Sequence, residues 1–273
     1  MAIIDRTSDV LRYHEKIISA SSQTGILILA LSILAYRGDL LSWEIALLGL
    51  LVGHGLCILA ICCVFYSLIV YDSSGKSLTG ESGVLVAICA VPVIIGFQMV
   101  GVSGLQAPLI NDISTDINDP PVLKSATLLR TSNDNGVSYP AGDYGANQLQ
   151  AYPDLTSVHL DVSADVAYRS ARYIVSLHGW QVMIADQAQG KIEAVVTTLV
   201  MGFKDDVAIR IRALDSQRSV LDIRSSSREG AGDLGANARR IRKFLVNFES
   251  VLIKQQNDLK YSAVRVDTVP AAT

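Results

Sequence analysis

The sequence predicts an α+β protein in two parts: three N-terminal transmembrane helices, then a two-layer domain in which an antiparallel sheet of about four strands packs with two helices. Half of the 273 residues are hydrophobic and only 18% are charged, which is an apolar excess for a soluble chain. The excess lies before Ser103. After it, apolar and polar residues alternate at strand and helix periods.

The N-terminal part begins with a polar lead, residues 1–17, followed by three apolar segments. Each segment reaches the roughly 20 residues that cross a bilayer. The first connection, Arg37–Glu44, is long enough only for a turn, so the first two spans form an antiparallel hairpin. The second connection, Asp72–Gly83, is rich in Ser and Gly and predicts a loop. The three predicted spans, which fill residues 18–103, are about Ile18–Tyr36, Ile45–Val70 and Val84–Val102.

The distribution of Lys and Arg beside the spans predicts their orientation. The lead carries Arg6, Arg12 and Lys16 and the second connection carries Lys76, against Arg37 alone in the first connection. The lead and the second connection are therefore expected in the cytoplasm. Three spans then place the C-terminal part outside.

Small and polar residues inside the spans predict how the helices pack. Gly49 and Gly53 form a GxxxG spacing that lets two helix backbones approach closely, either within the three-helix unit or in a dimer. His54 is ionisable at membrane depth, and a neighbour such as Gln98 could satisfy it without a functional role. All four cysteines lie in apolar segments, which favours small apolar packing over disulfides or metal ligation.

The connecting segment, residues 104–156, lacks periodicity and is predicted to be irregular. Asp112, Asp116 and Asp119 have a spacing that suggests a calcium loop, but the glycine and the closing glutamate of that motif are missing. We therefore interpret them as turn-capping residues and predict no metal site.

The domain proper is predicted over residues 157–257, and a flexible tail over 258–273. After a short strand at Val158–Val162, the apolar stripe ending at Gly179 predicts a helix that Ser163 or Asp165 caps. Four strands and a basic amphipathic helix follow. The predicted strands begin near Trp180, Ile192, Val207 and Leu221, and the helix buries Ala238, Ile241, Phe244, Leu245 and Phe248.

The glycine-rich turn before the last helix reads GAGDLG, from Gly230 to Gly235. A dinucleotide fingerprint would need a buried parallel strand before it and a βαβ unit after it, and the sequence offers neither. We interpret the glycines as turn residues and Asp233 as the helix cap, and we predict no cofactor.

Two stretches carry a family resemblance. The segment Phe203–Phe248 and the segment INDISTDINDPP, Ile110–Pro121, together resemble the bacterial family called domain of unknown function 1499. The resemblance implies membrane helices ahead of the domain, as in many members, and supplies no activity. In a bacterium, the outside predicted above is the periplasm, and the membrane is the inner membrane.

A candidate anion-binding site follows from strand parity and the start of the last helix. Arginines on one face of two neighbouring strands, with the helix N-terminus, could hold a phosphate, a carboxylate or an acidic glycan. The alternative is structural: Asp222, Asp233, Asp205 and Asp112 neutralise the arginines and tie the DISTD segment to the domain. The candidate residues are Arg210, Arg212, Arg224, Arg228, Asp233, Asn237, Arg240, Asp112 and Asp116.

Catalytic motifs are absent from the sequence of the C-terminal part, and Asp205 and Asp206 are interpreted as a solvated turn. A net charge of -3 gives no electrostatic case for nucleic acid. We therefore predict an inner-membrane protein whose periplasmic domain binds an anionic ligand or an envelope protein. The alternatives are an envelope hydrolase built from converged Asp and Arg residues and a structural subunit of a membrane complex.

Overall fold

The computed structural model describes residues 2–71, 80–140 and 142–267. The chain forms two compact units. One contains Met1–Val102 with Val200–Gly202, and the other contains Ser103–Leu199 with Phe203–Thr273.

The N-terminal unit contains three long helices: α1 (Ala2–Arg37), α2 (Trp43–Tyr71) and α3 (Gly80–Leu105). Each is long and apolar enough to cross a membrane, as the sequence predicts. Helix α1 begins at Ala2 and so includes most of the predicted lead, residues 1–17, while the candidate span within it runs from Arg12 to Arg37. Of the loop predicted over Asp72–Gly83, residues 72–79 lie outside the described ranges.

Glycines bring α1 and α2 together. A Cβ added at Gly53 would lie 2.6 Å from the Leu29 side chain and 3.0 Å from the Gly25 carbonyl oxygen. One added at Gly49 would lie 2.0 Å from Ser32 Oγ. The GxxxG spacing therefore packs within the hairpin.

His54 finds backbone partners rather than Gln98. Its Nδ1 lies 2.8 Å from the Leu50 carbonyl oxygen of its own helix. Its Nε2 lies 3.3 Å from the Pro92 carbonyl oxygen of α3.

The C-terminal domain contains one antiparallel sheet of six strands, in the order β1-β6-β5-β4-β3, with β2 also paired to β6. The sequence predicts about four. Strand β2 corresponds to the short strand predicted at Val158–Val162. Strand β1 is not predicted, because its three residues are too few for a periodic signal. The strands are β1 (Asp112–Ser114), β2 (Val158–Leu160), β3 (Gln181–Asp186), β4 (Lys191–Thr197), β5 (Lys204–Ala213) and β6 (Ser219–Ser227).

In the described part of the domain, the helices are α4 (Ala126–Leu129), α5 (Tyr144–Ala151), α6 (Ala164–Leu177) and α7 (Ala236–Asp267). The helix α6 begins at a Ser163 cap whose side chain accepts from Val166 N, and it ends before Gly179, which has φ 67°. Both α6 and α7 pack on one face of the sheet. The main core, including Ile209, Leu221, Ile223, Ile241 and Phe244, lies between these layers.

The other face of the sheet differs from the prediction. The sequence predicts a face that is polar toward its edge, but residues from the connecting segment cover it. Leu123 and Ala126 form a small buried cluster with Ala208 of β5. Asp112 belongs to strand β1 rather than to a turn. The segment predicted as irregular thus contains β1, α4 and α5, and α7 continues through Asp267 into the predicted tail.

Candidate binding site

The predicted arginines lie on the covered face of the sheet because alternate residues of β5 and β6 share that face. In the antiparallel register, Arg210 of β5 pairs with Asp222 of β6, and Ala208 pairs with Arg224. Strand parity therefore predicted this grouping correctly.

Arg224 is the most enclosed of these arginines. Its Nε donates to Asp112 Oδ1 at 2.9 Å and its Nη2 to Asp112 Oδ2 at 2.6 Å, and both side chains are under 5% exposed. Two further N–H groups donate to the carbonyl oxygens of Pro121 and Val137. Tyr139 lies beneath the guanidinium, 5.5 Å from ring centre to carbon, and burial raises the pKa of its phenol. Four of the five guanidinium N–H groups of Arg224 therefore donate to acceptors of the domain itself.

Helix α5 fixes the position of Asp112. The Tyr144 hydroxyl accepts from the backbone N–H groups of Asn111 and Asp112, both at 2.8 Å, and burial raises the pKa of Tyr144 to about 12. Gln148 receives the Ser114 N–H at 2.9 Å and donates to the Ser114 carbonyl at 2.7 Å. The short strand β1 is therefore tied down by side chains as well as by β6.

Arg210 and Arg212 share the carboxylates of one neighbouring strand and one loop. The Arg210 guanidinium contacts Asp116 at 3.0 Å, Asp119 at 2.8 Å and the fully buried Asp222 at 2.9 Å. Arg212 contacts the same Asp222 oxygen at 2.9 Å, with 47% of its own side chain exposed. These pairs tie the DISTD segment to the sheet.

Arg228 forms a pair that the sequence analysis does not predict. Its guanidinium contacts Asp206 at 2.7 and 3.0 Å, and Arg130 donates to the same carboxylate at 2.8 Å. The prediction that Asp206 belongs to a solvated turn is wrong, because it is 1% exposed. Asp206 and Arg210 lie on the same face of β5, because they are an even number of positions apart, and this spacing could have indicated the role of Asp206. Arg130 lies in an aperiodic segment, where no pattern indicates a contact with Asp206.

Asp205 points to the opposite side, toward the helices. Arg240 of α7 donates to the Asp205 carboxylate and to Ser225 Oγ. The Asn237 amide receives Ser225 Oγ–H at 2.6 Å and donates to Ser227 Oγ at 2.9 Å. Asp205 is 4% exposed, so it is not a solvated turn residue either.

Asp233 caps α7, as the sequence predicts. Its carboxylate accepts from the backbone N–H groups of Gly235 at 2.7 Å and Asn237 at 2.6 Å. Burial raises the pKa of Asp233 and the nearby Asp205 charge adds to the rise, while the two N–H groups oppose it. The cap occupies donors that an anion at this helix N-terminus would need.

The nine candidate residues do not form one site. Asp233, Asn237 and Arg240 lie at the start of α7, on the helix side of the sheet. The other six lie on the covered face, and each has an oppositely charged partner. These six are Asp112, Asp116, Arg210, Arg212, Arg224 and Arg228.

A cleft that the sequence analysis does not predict lies beside this network. It has a volume of about 310 Å³ and runs between Lys124 and the β3–β4 hairpin. Val122, Ile184 and Ala208 line it together with Lys124, Lys191, Asp186 and Arg210.

The two lysines of the cleft differ from its arginine. Lys124 and Lys191 are exposed and have no salt bridge among the described residues, and Lys191 Nζ donates to Gln189 Oε1 at 2.9 Å. Glu193 is buried and accepts from the Lys124 and Ser125 N–H groups. The cleft thus combines two available ammonium groups with an apolar floor.

Within the residues that the structure describes, no group of three or more His, Cys, Asp or Glu side chains is placed to hold a metal ion. His178 Nε2 contacts the Asn247 amide at 2.7 Å.

Comparisons with known proteins give a family model and several weak similarities to solved structures. The model of the family described as "Protein of unknown function (DUF1499)" matches residues 112–248. No curated protein matches the chain.

The di-domain ARO/CYC BexL from the BE-7585A biosynthetic pathway is 12% identical, with a TM-score of 0.27 over 38% of this chain and 45% of that one. The Zhui aromatase/cyclase from a Streptomyces species is 13% identical, with a TM-score of 0.22 over 43% of this chain and 96% of that one. The match spans less than half the length of BexL. Neither TM-score is high enough to carry an argument.

Proposed function

The chain belongs to the DUF1499 family of proteins of unknown function, and from that premise we propose that it is a multi-pass protein of the bacterial inner membrane whose C-terminal domain binds a small organic anion on the periplasmic side. The cleft beside Lys124 and Lys191 carries the binding part of this proposal. The three apolar helices carry the membrane part.

The orientation rests on the basic residues that flank the helices. Arg6, Arg12, Lys16 and Lys76 mark the cytoplasmic side and outweigh Arg37 on the other side. After an odd number of spans, the domain is periplasmic.

Cysteine labelling tests this orientation. In a background without the four native cysteines, single cysteines replace Ser74 or Ser132, and intact spheroplasts are treated with an impermeant thiol reagent. We expect only the Ser132→Cys protein to react. Labelling at Ser74→Cys alone would place the domain in the cytoplasm.

The binding proposal follows from the contrast between lysines and arginines. The arginines of the covered face of the sheet bind carboxylates of the chain itself, so their charge is already neutralised. Lys124 and Lys191 are free to hold an anionic group, and Val122, Ile184 and Ala208 offer apolar surface beside them. Asp186 pairs with Lys191 in the strand register, so we expect a singly charged anion with an apolar portion.

The same contacts give no support to a hydrolase. The carboxylates that such an enzyme would use, including Asp206 and Asp222, are buried and already accept from arginine. A general base needs a carboxylate that reaches substrate or water.

NMR of isoleucine methyl groups tests the cleft. The protein in lipid nanodiscs is titrated with benzoate, a small carboxylate with an apolar ring, and the Ile184 methyl signal is followed. We expect this signal to shift in the wild type and to stay unchanged in the Lys124→Ala/Lys191→Ala double variant.

The matched control is Lys254→Ala, which removes an exposed lysine far along α7. It should leave the Ile184 shift intact. Equal shifts in the double variant, or shifts spread over all isoleucines, would contradict the proposed site.

A further inference from the structure

A second cavity, of about 440 Å³, opens at the start of α7 on the helix side of the domain. Its lining combines apolar, aromatic and basic side chains. The residues that matter here are Leu177, His178, Trp180, Arg239, Arg240 and Lys243.

An aromatic stack holds Trp180 in place. Its ring stacks on Phe244 at 5.8 Å between centroids, and Phe244 stacks in turn on Phe248 at 5.9 Å. The His178 ring packs edge-on against Trp180 at 5.3 Å. Burial and the nearby Lys243 lower the pKa of His178. The indole is half-buried, and the adjacent Leu177 is 61% exposed.

The basic side chains of the cavity have different partners. Arg240 is paired with Asp205, and Arg239 donates to the Leu234 carbonyl at 2.8 Å. Lys243 is exposed and has no salt bridge among the described residues. Leu177, Trp180 and Lys243 therefore form a surface with one available cation beside exposed apolar groups, which we name the interface patch.

The polypeptide enters the domain at this same end. The Asp233 N–H donates to the Ile110 carbonyl at 3.4 Å, and a Cβ added at Gly235 would lie 3.6 Å from Ala107 Cβ. Ala236, the next residue, lines the cavity. Because α3 ends at Leu105, Ala107 lies within about 7 Å of the end of that helix.

From these observations we propose that the interface patch binds the acidic headgroups of the membrane to which the domain is tethered. Trp and Leu beside a lysine match the apolar and anionic layers of a lipid–water interface. Because the tether is short, the lipid concentration around the patch is high. A weak interaction between the patch and the headgroups is then enough for binding. This inference needs the three membrane spans but neither the periplasmic orientation nor the Lys124–Lys191 cleft.

Tryptophan quenching in nanodiscs tests the proposal with the full chain. Trp43→Phe leaves Trp180 as the single tryptophan, since the sequence has two. Nanodiscs contain phosphatidylcholine alone or an equal mixture with phosphatidylglycerol, each brominated near the headgroup end of the acyl chains. We expect bromine to quench Trp180 more strongly in the acidic nanodiscs.

Two variants separate charge at the patch from charge elsewhere. Lys243→Glu should remove about half or more of the extra quenching, since each basic side chain near an acidic surface contributes roughly fivefold to binding. Lys254→Glu changes an exposed lysine on the same helix, about 16 Å away, and should leave the quenching unchanged. Circular dichroism confirms that both variants fold.

Salt and phosphate complete the test. About 1 M salt should abolish the extra quenching because it screens the headgroup charge. Inorganic phosphate at matched ionic strength should add nothing, whereas competition by phosphate would assign the site to a soluble anion and overturn the lipid assignment. Equal quenching in neutral and acidic nanodiscs, or an undiminished signal in Lys243→Glu, would also overturn it.

Discussion

Four buried aspartates form ion pairs with arginines of the domain. Asp112, Asp205, Asp206 and Asp222 are all at most 4% exposed, and each accepts from at least one arginine. A buried ion pair adds little to stability compared with an apolar replacement, because desolvation offsets the attraction. Removing one partner of such a pair lowers stability, since the remaining charge stays buried without an opposite charge beside it.

Arg224→Ala should therefore destabilise the domain strongly. The variant leaves the Asp112 carboxylate buried without its two guanidinium bonds, which we expect to lower the free energy of unfolding by about 3–5 kcal/mol. The measurement is chemical unfolding of the fragment that begins at Gly104, which we predict to fold alone.

The control for this change is Arg218→Ala. Its pair with Asp215 is exposed, with side-chain exposures of 62% and 39%, so the melting temperature should hardly move. An Arg224→Ala domain that melts like the wild type but fails to support function in cells would favour an anion site over the structural network.

Asp233 should make stability depend on pH in an unusual direction for a carboxylate. Burial raises the pKa of Asp233 in the folded state. Its contribution to stability is therefore fully present when the pH is below the pKa of the unfolded state, and it is lost as the pH rises through the pKa of the folded state. Relative to Asp233→Asn, which keeps a capping oxygen, the wild type should gain stability as the pH falls from neutrality to about 4.

Thermal melts of the wild type and Asp233→Asn across this pH range give the difference directly. Other carboxylates titrate in both proteins and cancel. A difference that stays constant, or that grows as the pH rises, would show that the Asp233 carboxylate is not penalised by burial.

At the scale of single residues, the sequence predicts which side chains share a face but not which become buried. Strand parity correctly groups Arg210, Arg212 and Arg224, and the cap at Asp233 follows from its position before the helix. The burial of Asp206 depends on Arg130, which is 76 residues away in a segment without periodicity. Pairing across such a distance leaves no local pattern.

Among the secondary-structure elements, the α1–α2 hairpin is the one in which a larger side chain would be least tolerated. Gly53→Ala would place a methyl group 2.6 Å from the Leu29 side chain and 3.0 Å from the Gly25 backbone. Since the helix backbone cannot yield as a side-chain end can, we expect the variant to loosen the hairpin and lower the melting temperature of the full chain in detergent.

Gly55→Ala is a matched control two positions along the same helix. A Cβ there would meet nothing within 4 Å, so the higher helix propensity of alanine should leave stability unchanged or slightly raised. Equal melting of the two variants would show that α1 does not pack against the GxxxG face.

The long elements could be predicted because their periodicity extends over many residues. This holds for the three membrane helices, for α6 and α7, and for strands β5 and β6. Strand β1 is too short for such a signal, whereas β2 lies within the short strand predicted at Val158–Val162; both strands pair with β6. The start of α4 likewise involves a distant group, because the buried Glu193 accepts from the N–H groups of Lys124 and Ser125, just before the helix.

The whole chain combines two units with separate sources of stability. The domain has its own core, in which Phe244 is fully buried between Trp180 and Phe248. Residues of the same unit cover the other face of its sheet, through the Arg224–Asp112 pair and the Leu123–Ala126 cluster. Among the described residues, every member of this core cluster belongs to the domain itself.

The domain from Gly104 onward should accordingly fold alone as a soluble monomer with a cooperative melting transition. Within it, Phe244→Ala should cost about 3–5 kcal/mol, the usual range for a buried aromatic ring. Val246→Ala, a change two residues away at a position that is 62% exposed, should cost little. The measurements are circular dichroism, sedimentation and chemical unfolding of the three proteins. A fragment that stays unfolded would show that the domain depends on the membrane unit, and a Phe244→Ala fragment as stable as Val246→Ala would show that the aromatic stack does not form the core.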